Sequence, residues 1–132
     1  MAEAALQNLT FIDNNAIAGR PASYVTVTVD VAKILESWRE SLFSYEWVLP
    51  DGRLKSREEL PPAEQPKRAK VEETLSKGDP LEKPVLGIGL MENVEIGAGR
   101  AVFLTLAALG AKKLPVHIPK THEDEFSSFI AK

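Results

Sequence analysis

The sequence predicts an α+β domain, a small mixed β-sheet flanked by helices. Three stretches point there. "YVTVTVD" (24–30) alternates Val with Thr, the two-residue period of a strand with one buried face. "VAKILESWRESLF" (31–43) repeats apolar residues at helical spacing. "GLMENVEIGAGRAVFLTLAALG" (89–110) has the pattern of strand, tight loop and buried helix. A chain of 132 residues fits one domain, residues 1–132, with a core that needs no staples.

Residues 1–22 are mixed in polarity and punctuated by "DNN" and "GRP". They are expected to form a loosely attached, extended N-terminal arm with a short strand around Leu9–Ile12. Asp30 suits the N-cap of the helix that follows strand 24–30. On that helix Val31, Ile34, Leu35, Trp38 and Leu42 form the buried stripe, which assigns Trp38 to the core. "YEWVLPDGRLKS" (45–56) predicts two short extended pieces around a Pro-Asp-Gly turn. The prolines of "REELPPAEQP" impose an exposed connection. "AEQPKRAKVEETLSKGD" then forms a helix with a narrow Val71–Leu75 seam, ended by Gly78.

"KPVLGIGL" (83–90) is apolar on both sides, as an interior strand is. "MEN" turns the chain, "VEI" pairs back, and "GAG" bends into a helix from Ala101 to Leu109 that Gly110 closes. "KLPVHIP" (113–119) is a further strand. Thr121 is expected to cap a last helix, with Phe126, Phe129 and Ile130 on its buried side.

Composition excludes several functions. There is no Cys, hence no disulfide, thiolate metal site or cysteine nucleophile. A formal charge of −3 argues against a strongly basic nucleic-acid surface. The N-terminus lacks the pattern of a signal peptide and no stretch has the length of a membrane span, so a cytoplasmic home and no membrane partner are expected.

The loop Gly97–Arg100 is the first candidate site. Backbone amides at a helix start, with one guanidinium, make an anion site; equally, two glycines serve a sharp strand-to-helix turn, with Arg100 solvated. Glu92, Asn93 and Glu95 are the additional candidates, either hard oxygen donors beside a phosphate or simply a hairpin turn. No dedicated metal site is expected. His117 and His122 are expected as surface or half-buried imidazoles. "DGRLKSR" and "PKRAK" are basic clusters, either contacts for nucleic-acid phosphates or, being interleaved with Glu58, Glu59, Glu72 and Glu73, a solvated mixed-charge face, the reading preferred. Phe43, Tyr45 and Trp47 are expected to pack under the Pro-rich connection; exposed, they would instead form a binding patch.

Residues 67–118 resemble the ParB/sulfiredoxin superfamily. The shared layout is a helix ending in Gly (Gly78), "PV" opening a strand (Pro84-Val85), a Gly-led loop (Gly99), an alanine-bearing helix ended by Gly110, and "PV" in the next strand (Pro115-Val116). The resemblance implies that fold, and a loop that holds nucleotide phosphate through an Arg three residues after the Gly. Here Ala101 and Val102 follow Arg100, and Val102 stands where that Arg would be. Sulfiredoxin chemistry is excluded by the lack of Cys, and Arg100 is left as the candidate cation.

Two functions follow as expectations. One is a ParB-like domain binding a nucleotide (with Mg2+) or nucleic-acid phosphate through Gly97, Gly99 and Arg100, in a bacterial DNA-maintenance, plasmid or phage setting. A nuclease or nucleotidase activity would belong to it, with no catalytic residue assigned. The other is a non-catalytic protein-interaction or regulatory module, acting on a protein partner or as a homodimer.

Overall fold

The computed structural model describes residues 9–90 and 92–131; the first eight residues of the expected arm lie outside them. In chain order the elements are β1 (Phe11–Ile12), β2 (Tyr24–Asp30), α1 (Val31–Trp38), α2 (Gln65–Lys77), β3 (Leu81–Glu82), β4 (Leu86–Ile88), β5 (Val94–Ile96), α3 (Arg100–Ala108), β6 (Lys113–Pro119) and α4 (Glu123–Phe126), with 3₁₀ turns between. This is a small α+β domain. Its strands pair as three two-stranded ribbons: β2 with β6 antiparallel, β4 with β5 antiparallel, and β1 with β3 parallel. A single parallel bridge, Val85 to His117, ties the first ribbon to the second. There the His117 amide donates to the Pro84 carbonyl at 2.9 Å.

β2 and β6 register from Tyr24 opposite Pro119 to Asp30 opposite Lys113. At the end of β2 the Asp30 side chain accepts from the Lys33 amide at 3.1 Å, the expected cap. α1 then stops at Trp38, four residues short of Leu42. The Ser41 amide donates to the Trp38 carbonyl, and the Ser44 hydroxyl donates to the carbonyls of Arg39 and Ser41, which curls the chain out of the helix. Leu42 therefore leaves the buried stripe and is 85% exposed, a correction to the periodicity reading. Val31, Ile34 and Trp38 keep their places in the core.

The Pro-Asp-Gly turn forms as expected, with Val48 bridged to Leu54 across it. The aromatics before it divide. Trp47 is fully buried, but Phe43 and Tyr45 are exposed, because the 3₁₀ turn Ser44–Glu46 sends successive side chains in different directions. The strand expected over 83–90 shortens to Leu86–Ile88, since the Gly89 amide closes the hairpin onto the Asn93 carbonyl and Leu90 points fully outward.

α3 is the centre of the core. Phe103, Leu104, Thr105 and Leu106 are all inaccessible, packed with Trp38, Trp47, Val116, Ile118 and Phe126. Burying both sides of a helix is what its lack of a polar face requires. Left-handed Gly78 and Gly110 follow α2 and α3. The last helix begins later than Thr121: Lys120–His122 forms a 3₁₀ turn and no side chain caps α4. Phe126 is buried, while Phe129 packs on it edge-to-face at 5.8 Å and is only half-buried.

Residues 11–17 are fastened to the body. The Asn14 side chain donates to the Lys83 carbonyl at 2.9 Å, its amide donates to His117, and Ile17 is buried.

Candidate functional site

The loop between β5 and α3 is built by hydrogen bonds that are largely internal. The Gly97 amide donates to the Val85 carbonyl and the Val85 amide returns to the Ala98 carbonyl, both at 2.8 Å. The Arg100 amide donates to the Gly97 carbonyl at 3.2 Å. Gly99 caps α3 at φ +79°, where a side chain is strained, and a Cβ there would sit 3.0 Å from the Pro84 Cα. Two of the amides that would cradle a phosphate are thus occupied, and Gly99 answers to backbone conformation and to Pro84.

The Arg100 side chain turns back along β5. Its Nε donates to the Ile96 carbonyl at 2.9 Å, and its guanidinium lies 5.2 Å from the Phe43 ring centre and 6.0 Å from that of Trp38. This is a cation over aromatic faces that also covers one carbonyl on the open edge of β5. The Val94 amide and carbonyl on that edge are taken by Ser37 Oγ and Asn93 Nδ2. Side chains therefore close the strand edge to further pairing.

Gly97, Gly99 and Arg100 do share an open hollow of about 320 Å³, together with Ala101, Glu64 and Lys67. Lys67 belongs to the "PKRAK" cluster, but its meeting with this loop, and the presence of Glu64, were not foreseen; α2 packs on α3 and brings them in, a contact between distant segments with no local signal. Glu64 is buried, and its carboxylate accepts from Lys67 at 2.8 Å and from the Trp47 indole at 3.0 Å. The Lys67 bond holds its pKa below the usual 4.5, helped by Trp47 and by the charges of Lys67 and Arg100, against the opposing effect of burial. A fixed carboxylate thus stands at the mouth of the helix.

Glu92, Asn93 and Glu95 do not meet that hollow. Glu92 sits exposed in the hairpin turn at φ +62°. Asn93 is 5% exposed; its Nδ2 donates to the Val94 carbonyl and to Glu95 Oε2, and its Oδ1 has no partner. Glu95 Oε1 accepts from the Ser41 hydroxyl at 2.6 Å. No group of three His, Asp or Glu able to hold a metal occurs among the described residues.

Asn93 and Glu95 instead line a second cleft of about 460 Å³, between the chain after α1 and the β4–β5 hairpin. Leu42, Phe43, Leu90 and Ile96 form its apolar walls, Glu40 stands on its rim, and Gly97 and Arg100 border both cavities. Neither Leu42 nor Leu90 was singled out as a surface residue. Both lie in apolar runs whose exposure depends on where α1 and β4 stop.

His117 is buried, contrary to expectation, because Val85 and the Asn14 segment cover β6. Its Nε2 accepts from the Asn14 amide at 3.1 Å, which places the neutral ring's proton on Nδ1, 3.3 Å from Thr26 Oγ1. Burial pushes its pKa down; Asp13 opposes this and Lys83 adds to it. His122 Nδ1 accepts from the Ile88 amide. In the basic clusters Arg53, Arg57, Lys67 and Arg68 are paired with Glu59, Glu72, Glu64 and Glu72 respectively.

No helix among the described residues is long and apolar enough to cross a membrane. Comparison with known proteins finds no matching family model, no matching curated protein and no matching solved structure.

Proposed function

We propose that this chain is a non-catalytic protein-interaction module, of ParB-like ancestry, that docks a partner segment in the cleft between residues 40–43 and the β4–β5 hairpin. One observation carries the reading. Of the five large hydrophobic residues exposed among the described residues, three (Leu42, Phe43 and Leu90) gather around one cleft. Apolar side chains clustered on a surface mark an interaction site, where scattered ones do not. The ancestry rests on the order of β5, Gly-led loop, α3 and β6, and on the parallel tie from Val85 to His117.

Selection of a displayed peptide library on the immobilised protein tests it. Enriched peptides are expected to lose at least tenfold in affinity against Leu42→Asp and Leu90→Asp, and to keep it against Ile12→Asp, which is exposed away from the cleft. Peptides that bind all three variants like the wild type would remove the reading.

The second reading, a phosphate site at the mouth of α3, is favoured by Lys67 standing beside Gly97, Gly99 and Arg100 in an open hollow. A phosphate there would draw Lys67 from Glu64. CTP or ATP with Mg2+, or a DNA oligonucleotide, at a hundredfold excess over its Kd would add about 2.7 kcal/mol of stability, and Lys67→Ala would abolish the rise. The primary reading expects no shift with any of the three.

A further inference from the structure

Resting on the cleft as the docking surface, we infer that the docked segment presents a Lys or Arg side chain between apolar residues. The polar groups that line the cleft are mostly acceptors. Glu95 is half-buried, and among the described residues its carboxylate accepts from two neutral donors, the Ser41 hydroxyl and the Asn93 side-chain amide. Glu40 is exposed on the rim and forms no ion pair among the described residues. Asn93, with 5% exposure, leaves Oδ1 without a partner. The cation that lines the cleft, Arg100, already spends its Nε on the Ile96 carbonyl and lies over Phe43.

An ammonium or guanidinium donates without accepting and also carries the positive charge that a carboxylate pairs with. It therefore answers the carboxylates of Glu40 and Glu95 where a hydroxyl or amide would do so only in part. Its alkyl stem suits the same walls: long cationic side chains lay their methylenes along apolar surface and keep the head at the polar rim, here Leu42 and Leu90. A metal ion is the competing guest for carboxylates, but no sufficient ligand group exists among the described residues. A second copy fits poorly, because a two-fold contact through this cleft would gather the Glu40 and Glu95 carboxylates of both copies into one interface in a chain already at −3.

Fluorescence anisotropy with three dye-labelled synthetic peptides of equal length tests this, one patterned Leu/Lys, one Leu/Gln and one Leu/Glu. The expected order is Leu/Lys tightest by about tenfold, then Leu/Gln, with Leu/Glu weakest. Glu40→Gln and Glu95→Gln together should erase the Lys preference and leave Leu/Gln binding unchanged. Glu73→Gln, on the far face of α2, should not alter it. Equal binding of the Leu/Lys and Leu/Gln peptides, or a Lys preference that Glu73→Gln lowers as much as the cleft variants do, overturns the inference and leaves the docking reading intact. If Leu42→Ser and Leu90→Ser change the binding of no peptide, the docking reading itself fails. A dimer in solution that Leu90→Ser dissociates would assign the cleft to a second copy and overturn the inference. Both leucines are exposed, so these variants should melt like the wild type.

Discussion

Replacing Gly99 by Ala separates a glycine kept for the turn from one kept for a ligand. Gly99 sits at φ +79°, where an L-residue loses roughly 1–2 kcal/mol. The new Cβ would also lie 3.0 Å from the Pro84 Cα, closer than backbone and side chain normally approach. Pro84 cannot retreat freely, because its carbonyl accepts the His117 amide that ties the two ribbons together. Strain and contact together set the cost at about 2–3 kcal/mol. In a domain of this size that is a fall of roughly 6–15 °C in Tm, with no ligand added. Gly97 is the internal control. It lacks a positive φ, and its Cβ would meet only the Val85 carbonyl oxygen at 3.4 Å, so Gly97→Ala should stay within about 0.5–1 kcal/mol of the wild type. Urea unfolding followed by tryptophan fluorescence measures both, since Trp38 and Trp47 are buried. Equal stability for Gly99→Ala and the wild type would refute the reasoning, because it would mean that neither the left-handed conformation nor the Pro84 contact constrains the loop.

Further predictions follow from the same structure. Asp30→Ala removes the α1 cap and should cost about 1 kcal/mol, read as a lower urea midpoint at unchanged slope. Phe103→Ala opens a cavity at the centre of α3 and should cost roughly 3–5 kcal/mol, also by urea unfolding. His117 is held neutral by burial, with its folded pKa below the ordinary 6.5. The unfolded chain therefore binds the proton first, and stability should fall as the pH drops below about 6.5. His117→Gln should flatten that slope below pH 6.5 in a pH series of melts. Protonation of His117 removes the acceptor for the Asn14 amide, so hydrogen exchange at Asn14 should quicken over the same range.

Several elements were legible because their causes are local. The β2 alternation, the Asp30 cap, the Pro-Asp-Gly turn and the apolar α3 each follow from residues within a few positions of one another. So did the juxtaposition of Gly97, Gly99 and Arg100, which are neighbours in the chain. The role of Arg100 was not legible: from the sequence it stands at a helix mouth as a cation for phosphate. Only the folded chain shows it bonded to the Ile96 carbonyl and set against Phe43, with Glu64 brought in from the start of α2.

The division follows the range of the forces. Periodicity, caps and turn chemistry act over a few residues, and an α+β domain with a buried α3 follows from them alone. Whether His117 is covered and which charges share a hollow depend on contacts between segments far apart in the chain, which no local pattern encodes. Leu42 and Leu90 turn outward through local bonds, those of Ser41 and Ser44 and the closure of Gly89 onto Asn93, that hydrophobic periodicity does not signal.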